Sequence, residues 1–341
     1  MLADKIYSAA RALGGEGAAA LGKREALNQK FMEDGAITLA YGDPSVYFGG
    51  LAALVGPSNP NEEKGMVHEH CSSIDSMDTF QGGNYGIVTC SRTEYNFVAD
   101  PSEEMLKRLG LTEWPREAGQ GGAQGREGGS GRDDSGRKAC PPSDFAAAKE
   151  EIDARLSLLQ CEPLSHTAFV GARLYTGPMF MKYNLTLRAA GDRVPFLSKR
   201  VEELCRGNPY ATTLNAINRA LVKLSMLQRA EKVYRAPGGM LPRQFWTRDE
   251  FNVCGGVEQG FLSATTERQV AMEYAQRSKA GIVFEITQGL VDRGADLSWL
   301  SQYPFESEVK WPGRHARPYP TPPATSYPTP LILVHPPTPT H

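Results

Sequence analysis

The sequence has no run of about eighteen apolar residues, so no segment reads as a membrane-spanning helix. Its longest apolar stretches are fragments such as Leu331-Ile332-Leu333-Val334. Charge of one sign is also lacking. Lys and Arg number 37 against 39 Asp and Glu, a formal charge of −2, which excludes a strong overall basic footprint for nucleic acid or an acidic membrane. The six cysteines lie far apart and none forms a C-x-x-C pair. In a chain this long they read as reduced thiols, and the expected location is cytoplasmic. The first thirty residues contain no apolar core of the kind a secretory signal needs. No G-x-G-x-x-G follows a strand pattern, and neither a phosphate-binding P-loop nor a serine elbow is present.

With hydrophobic residues at 40%, the 341-residue chain can build a core. Two breaks in composition divide it. Between Ala118 and Gly136, eight of nineteen residues are Gly and none is a large apolar, so this stretch is expected to be a flexible linker. Residues 312–341 hold ten of the 24 prolines and are expected to form an extended, disordered tail. The boundaries that follow are a frayed segment at 1–30, a mixed α/β region at 31–116, a linker at 117–142, a folded domain at 143–311 and the tail.

Within 31–116, turn signals such as Gly82-Gly83-Asn84-Tyr85 separate short β-like runs at Ile37–Leu39, Tyr85–Cys90 and Tyr95–Val98. The domain at 143–311 is more regular. Ser143 can cap a helix whose apolar face is Phe145, Ala148, Ile152, Leu156 and Leu159. The spacing of Leu214, Ile217, Leu221 and Leu224 predicts a second helix over about 210–228. Four strands are predicted at Lys232–Ala236, Gly260–Ala264, Gly281–Thr287 and Glu306–Trp311. A short helix stands between the second and third, with Thr266 and Gln269 as its capping box. Helices first and strands after give an α+β fold, not an alternating βαβ one.

Three polar features ride on these strands. Arg235 leaves its strand beside Gly238 and Gly239, where a planar guanidinium can clamp a phosphate or carboxylate; a surface arginine would look the same. Ser263 and Thr265 point the same way from theirs, and either Thr265 or Thr266 can cap the next helix. Glu306 and Glu308 are i and i+2 on the last strand. Two like charges there raise at least one pKa unless a cation or substrate intervenes, although a solvated edge strand also carries such charges. His68-Glu69-His70-Cys71 has no second ligand cluster nearby, so no metal is expected.

The order of these features is rarer than any one of them. A strand Arg, an aromatic-x-Ser-x-Thr strand 28 residues on and a Glu-x-Glu ending 45 residues further resemble the arginine-specific mono-ADP-ribosyltransferases of the Arg–Ser–Glu class. The likeness spans Tyr210–Glu308. It implies a split, mostly antiparallel sheet core behind the helices, with NAD as substrate and an arginine-bearing protein as second partner. It implies that NAD lies against Arg235, Ala236, Gly238, Ser263, Thr265 and Glu308. In that scheme Glu308 stabilises an oxocarbenium-like transition state, Ser263 holds Glu308, Arg235 grips the pyrophosphate side and Glu306 binds the acceptor guanidinium. An NAD glycohydrolase, or an inactive binding module, are the alternatives. Two departures stand out. Ala236 replaces the glycine usual after the arginine, and the proline-rich tail replaces the strands usual after Glu-x-Glu, which predicts an open sheet edge.

Overall fold

In this computed structural model the described residues are 51–82, 87–99, 137–138, 140, 142–190, 195–229, 231–236, 256–277, 282–288, 293–304, 308–311, 315–318 and 331–335. The expected run Ile37–Leu39 lies outside them.

The chain enters through two short helices, α1 (Leu51–Val55) and α2 (Glu62–Val67), and a π-helical turn at His68–Ser72. Strands β1 (Phe80–Gly82) and β2 (Ile87–Thr89) pair antiparallel, Gly82 opposite Ile87, where the Gly-Gly-Asn-Tyr signal called for a turn. The expected β-run Tyr95–Val98 is instead part of helix α3 (Ser91–Ala99). Its aromatic and β-branched residues suit a strand, but Glu94, Tyr95, Phe97 and Val98 are all buried, and tertiary packing overrides propensity.

Five helices follow: α4 (Pro142–Leu158), α5 (His166–Tyr175), α6 (Phe180–Ala189), α7 (Pro195–Cys205) and α8 (Ala211–Ser225). The predicted stripe of α8 is buried at Leu214, Ile217, Leu221 and Leu224. It crosses α5 closely at Gly171, where a methyl group would meet Ile217 Cγ1 at 3.3 Å. The N-terminus of α8 is capped from outside its own segment. The Glu69 carboxylate accepts from the Thr212 and Thr213 amides at 2.7 and 3.0 Å and from Thr213 Oγ1 at 2.7 Å, where orphan N–H groups and the helix dipole favour an anion.

The neighbouring His70 is also structural. Its Nδ1 donates to Met66 O and its Nε2 accepts from Tyr183 OH, each at 2.7 Å. That pair of bonds suits the neutral ring, and burial holds its pKa below the ordinary value. The His-Glu-His-Cys sequence is thus a helix cap and a core histidine. Among the described residues, no group of three or more His, Cys, Asp or Glu is placed to hold a metal ion, and no helix is long and apolar enough to cross a membrane.

The described part of 31–116 packs against the helices of 143–311. Val55, Met66, Phe80, Tyr95, Phe97 and Val98 share one core with Phe169, Leu174, Tyr183, Leu214 and Leu221. Neither segment buries its apolar face alone.

The second layer is the sheet, built from β3 (Lys232–Arg235), β4 (Gly256–Val257), β5 (Leu262–Thr265), β6 (Val283–Thr287), β7 (Ala295–Asp296), β8 (Glu308–Trp311), β9 (His315–Pro318) and β10 (Leu331–His335). Helix α9 (Arg268–Arg277) lies between β5 and β6 in the chain. The strand order is β4-β9-β10-β6-β3-β5-β8-β7. Every pairing is antiparallel except β9 with β10. The α+β class expected from the sequence is therefore observed.

The expected disordered tail is corrected over two of its segments. β10 pairs with β6 from Leu331↔Thr287 to His335↔Val283, and β9 joins it on the other side. The physical reason is local. Leu331–His335 is a proline-free apolar run bracketed by Pro330 and Pro336, so every amide of the strand can donate. An open sheet edge was expected; β10 covers the edge of β6.

Candidate active site

The three sequence features fall on neighbouring strands. β5 lies between β3 and β8. Arg235 ends β3 and its Nη1 donates to Ser263 O of β5 at 2.7 Å. β5 and β8 pair with Ser263 opposite Lys310 and Thr265 opposite Glu308. The fold thus brings Arg235, Ser263 and the backbone of Glu308 to one part of the sheet. Glu306, Gly238 and Phe305 lie outside the described residues.

Around Arg235 the structure builds a charged cluster. Glu258, 1% exposed, accepts both prongs of the Arg188 fork at 2.9 Å. Arg235 Nη2 stands 3.6 Å from the same carboxylate, longer than a hydrogen bond. Burial pulls the Arg188 guanidinium down, but the charge and hydrogen bonds of Glu258 outweigh it and hold the pKa above the ordinary value. For Arg235 the balance is reversed. Burial holds it below its usual value, Arg188 adds to the effect, and Glu258 opposes it. A guanidinium so placed gains from an added anion, because two cations converge on one carboxylate.

Glu258 and Asn184 also shape the turn into β5. Gly260 N donates to Glu258 Oε1 at 2.9 Å and Phe261 N donates to Asn184 Oδ1 at 2.8 Å. Tyr175 OH donates to Phe261 O at 3.0 Å. A Cβ on Gly260 would meet Asn184 Oδ1 at 3.0 Å, so the close approach of α6 to this turn favours glycine.

The hydroxyls of β5 have distinct partners. Ser263 Oγ accepts from Lys310 Nζ at 3.0 Å, and the ammonium also sits 4.7 Å above the Tyr175 ring, within cation–π range. Thr265 Oγ1 accepts from Glu267 N at 3.0 Å, in the turn that precedes α9. Ala236 packs with Tyr234 and Met272 against Ala271, Ala275 and Val283. Tyr303, weighed as either an acceptor contact or packing, is buried.

Sequence reasoning missed Glu258, Arg188, Asn184, Tyr175 and Lys310. Three of these left a signal. Lys310 follows Glu308 by two in the predicted strand, and Asn184 and Arg188 are i and i+4 on one helix. Glu258 left none, since its role depends on a turn that no local pattern announces.

No family model and no curated protein matches the chain. Among solved structures it is similar to the eucaryotic mono-ADP-ribosyltransferase ART2.2, at 19% identity over 59% of this chain and 82% of that one, with a TM-score of 0.31. It is similar to ADP-ribosyltransferase Vis, solved in complex with the M6 inhibitor, at 17% identity over 70% and 88%, with a TM-score of 0.34. HopU1 of Pseudomonas syringae pv. Tomato DC3000, an ADP-ribosyltransferase, is similar at 20% identity over 46% of this chain and 64% of its own length, with a TM-score of 0.30.

Proposed function

We propose that the chain transfers ADP-ribose from NAD to the guanidinium of an arginine in a target protein and releases nicotinamide. The observation that carries this reading is the convergence of Arg235, Ser263 and Glu308 on the adjacent strands β3, β5 and β8, in the chain order that prompted the resemblance.

The chemistry suits these groups. The bond between ribose C1′ and the nicotinamide nitrogen breaks, and its electron pair leaves with the neutral ring. An arginine nitrogen then bonds to C1′ and gives up a proton. The transition state is oxocarbenium-like, as in glycoside hydrolysis, and a fixed carboxylate stabilises it best where water is scarce. Glu308 fills that role, with Ser263 ordering the strand pair beside it. Arg235, backed by Arg188, offers a fork to the pyrophosphate. Glu306 pairs with the acceptor guanidinium, which is otherwise protonated and a poor nucleophile.

The test is to incubate the full chain with NAD, with and without agmatine, and quantify nicotinamide and ADP-ribosylated agmatine. Acceptor-stimulated nicotinamide release, matched by adduct, is expected. Release indifferent to agmatine and without adduct would make the protein an NAD glycohydrolase, and no release would end the enzymatic reading.

A further inference from the structure

The segment leading towards Glu308 is tied down at Gln302, which is fully buried. Its amide donates to Thr176 Oγ1 at 3.0 Å and its carbonyl accepts from Lys138 N at 2.8 Å. Its Nε2 donates to Arg173 O at 2.8 Å, and its Oε1 accepts from Arg137 Nε at 2.7 Å. The fit is tight on the remaining side. A Cβ on Gly177 would lie 2.2 Å from Gln302 Nε2, so the post seats only against a glycine.

Arg137 is itself held from the N-terminal part of the chain. It forms a salt bridge with Glu94 on α3, with side-chain exposures of 4% and 1%, and its guanidinium lies 3.8 Å from the Phe97 ring centroid. Glu94 is completed by Thr89 Oγ1 at 2.6 Å. Arg173 reinforces the same place, donating to Leu300 O and Lys138 O at 2.6 Å each. The chain from β2 and α3 is therefore joined through Arg137 to a residue four positions before Glu306 and six before Glu308.

We propose that Arg137, acting through Gln302, is a positioning residue that sets the placement of β8 at Glu308. The proposal rests on the catalytic reading of Glu308. Reacting groups need placement to within about 0.5 Å, and a misplacement of ~1 Å far from the chemistry can cost about a hundredfold in rate. Among the described residues Arg137 bonds to Gln302 and Glu94 and not to Arg235 or Ser263, so its loss bears on Glu308 and spares the grip on NAD.

Arg137→Met alone strands the buried Glu94 charge and can unfold the chain. The decisive variant is therefore Arg137→Met with Glu94→Leu, which removes both charges and the bond to Gln302 together. Two measurements on the full chain are paired: amide hydrogen exchange across 303–311, and steady-state nicotinamide release. Exchange there is expected to quicken by about tenfold. The kcat is expected to fall about tenfold to a hundredfold, with KM for NAD within about twofold of the wild type. Unchanged exchange would overturn the tie, and faster exchange with unchanged kcat would overturn its positioning role. If the wild-type chain releases no nicotinamide, the catalytic reading and the positioning role fall together, whereas exchange still decides the tie on its own.

Discussion

Glu308→Gln is expected to lower kcat for nicotinamide release by about 10²–10³ while leaving NAD affinity within about threefold. The substitution keeps the shape of the side chain and removes its charge. In the proposed reaction the carboxylate acts on charge that develops as the ribose–nicotinamide bond breaks, so its loss is to be felt in the transition state and little in the ground state. Rapid-quench measurement of nicotinamide at saturating NAD reads this directly. Equal rates in wild type and variant would remove Glu308 from the chemistry. A matched loss in affinity and rate would make it a binding residue instead.

The second large effect concerns stability and involves groups with no part in the proposed chemistry. Asp75 and Lys182 form an ion pair at 2.7 Å with both side chains at 0% exposure. The Asp75 carboxylate also accepts from Tyr210 OH, from Asn208 Nδ2 at 2.9 Å and from Ser73 Oγ at 2.8 Å. Burial pushes its pKa up, but the hydrogen bonds from Lys182, Tyr210 and Asn208 outweigh that and hold it below the ordinary value. Asp75→Ala leaves the Lys182 ammonium buried with no counter-charge among the described residues' ion pairs, against Ser91 Oγ, Tyr210 OH and the Phe80 ring.

Breaking such a pair from one side costs about 3–5 kcal/mol, a large part of the ~5–15 kcal/mol that holds a typical domain together. A denaturant titration should show the midpoint falling accordingly. Asp75→Leu with Lys182→Met, which removes both charges, should recover most of the loss. A single variant within about 1 kcal/mol of wild type would mean that the pair is not an obligate part of the core.

These two residues also show what was legible in the sequence. The helix at 211–225 follows from periodicity, because its apolar stripe is the buried one, and the strands at 232–235, 262–265, 283–287 and 308–311 were legible as short β-prone runs. Arg235, Ser263 and Glu308 were legible as an ordered set because each sits on such a strand. Asp75 and Lys182 were not. They are 107 residues apart, and only the fold brings them together.

The same holds for Glu69, which looks like a ligand in His-Glu-His-Cys and caps α8 from 143 residues away. It holds for Arg137, which follows the glycine-rich stretch yet is fixed by Glu94 and Gln302. The tail misled for the opposite reason. Proline density hid a five-residue run that carries no proline and completes the edge of β6.

The account stands or falls on whether the cluster at Arg235 receives NAD, and calorimetric titration of NAD into the wild-type chain and into Arg235→Lys measures this. Binding at one site is predicted, weakened by about tenfold to a hundredfold in the variant, because an ammonium cannot reproduce the two-pronged contact of a guanidinium with a pyrophosphate oxygen pair. No heat of binding in the wild type, or the same affinity in both proteins, would contradict it.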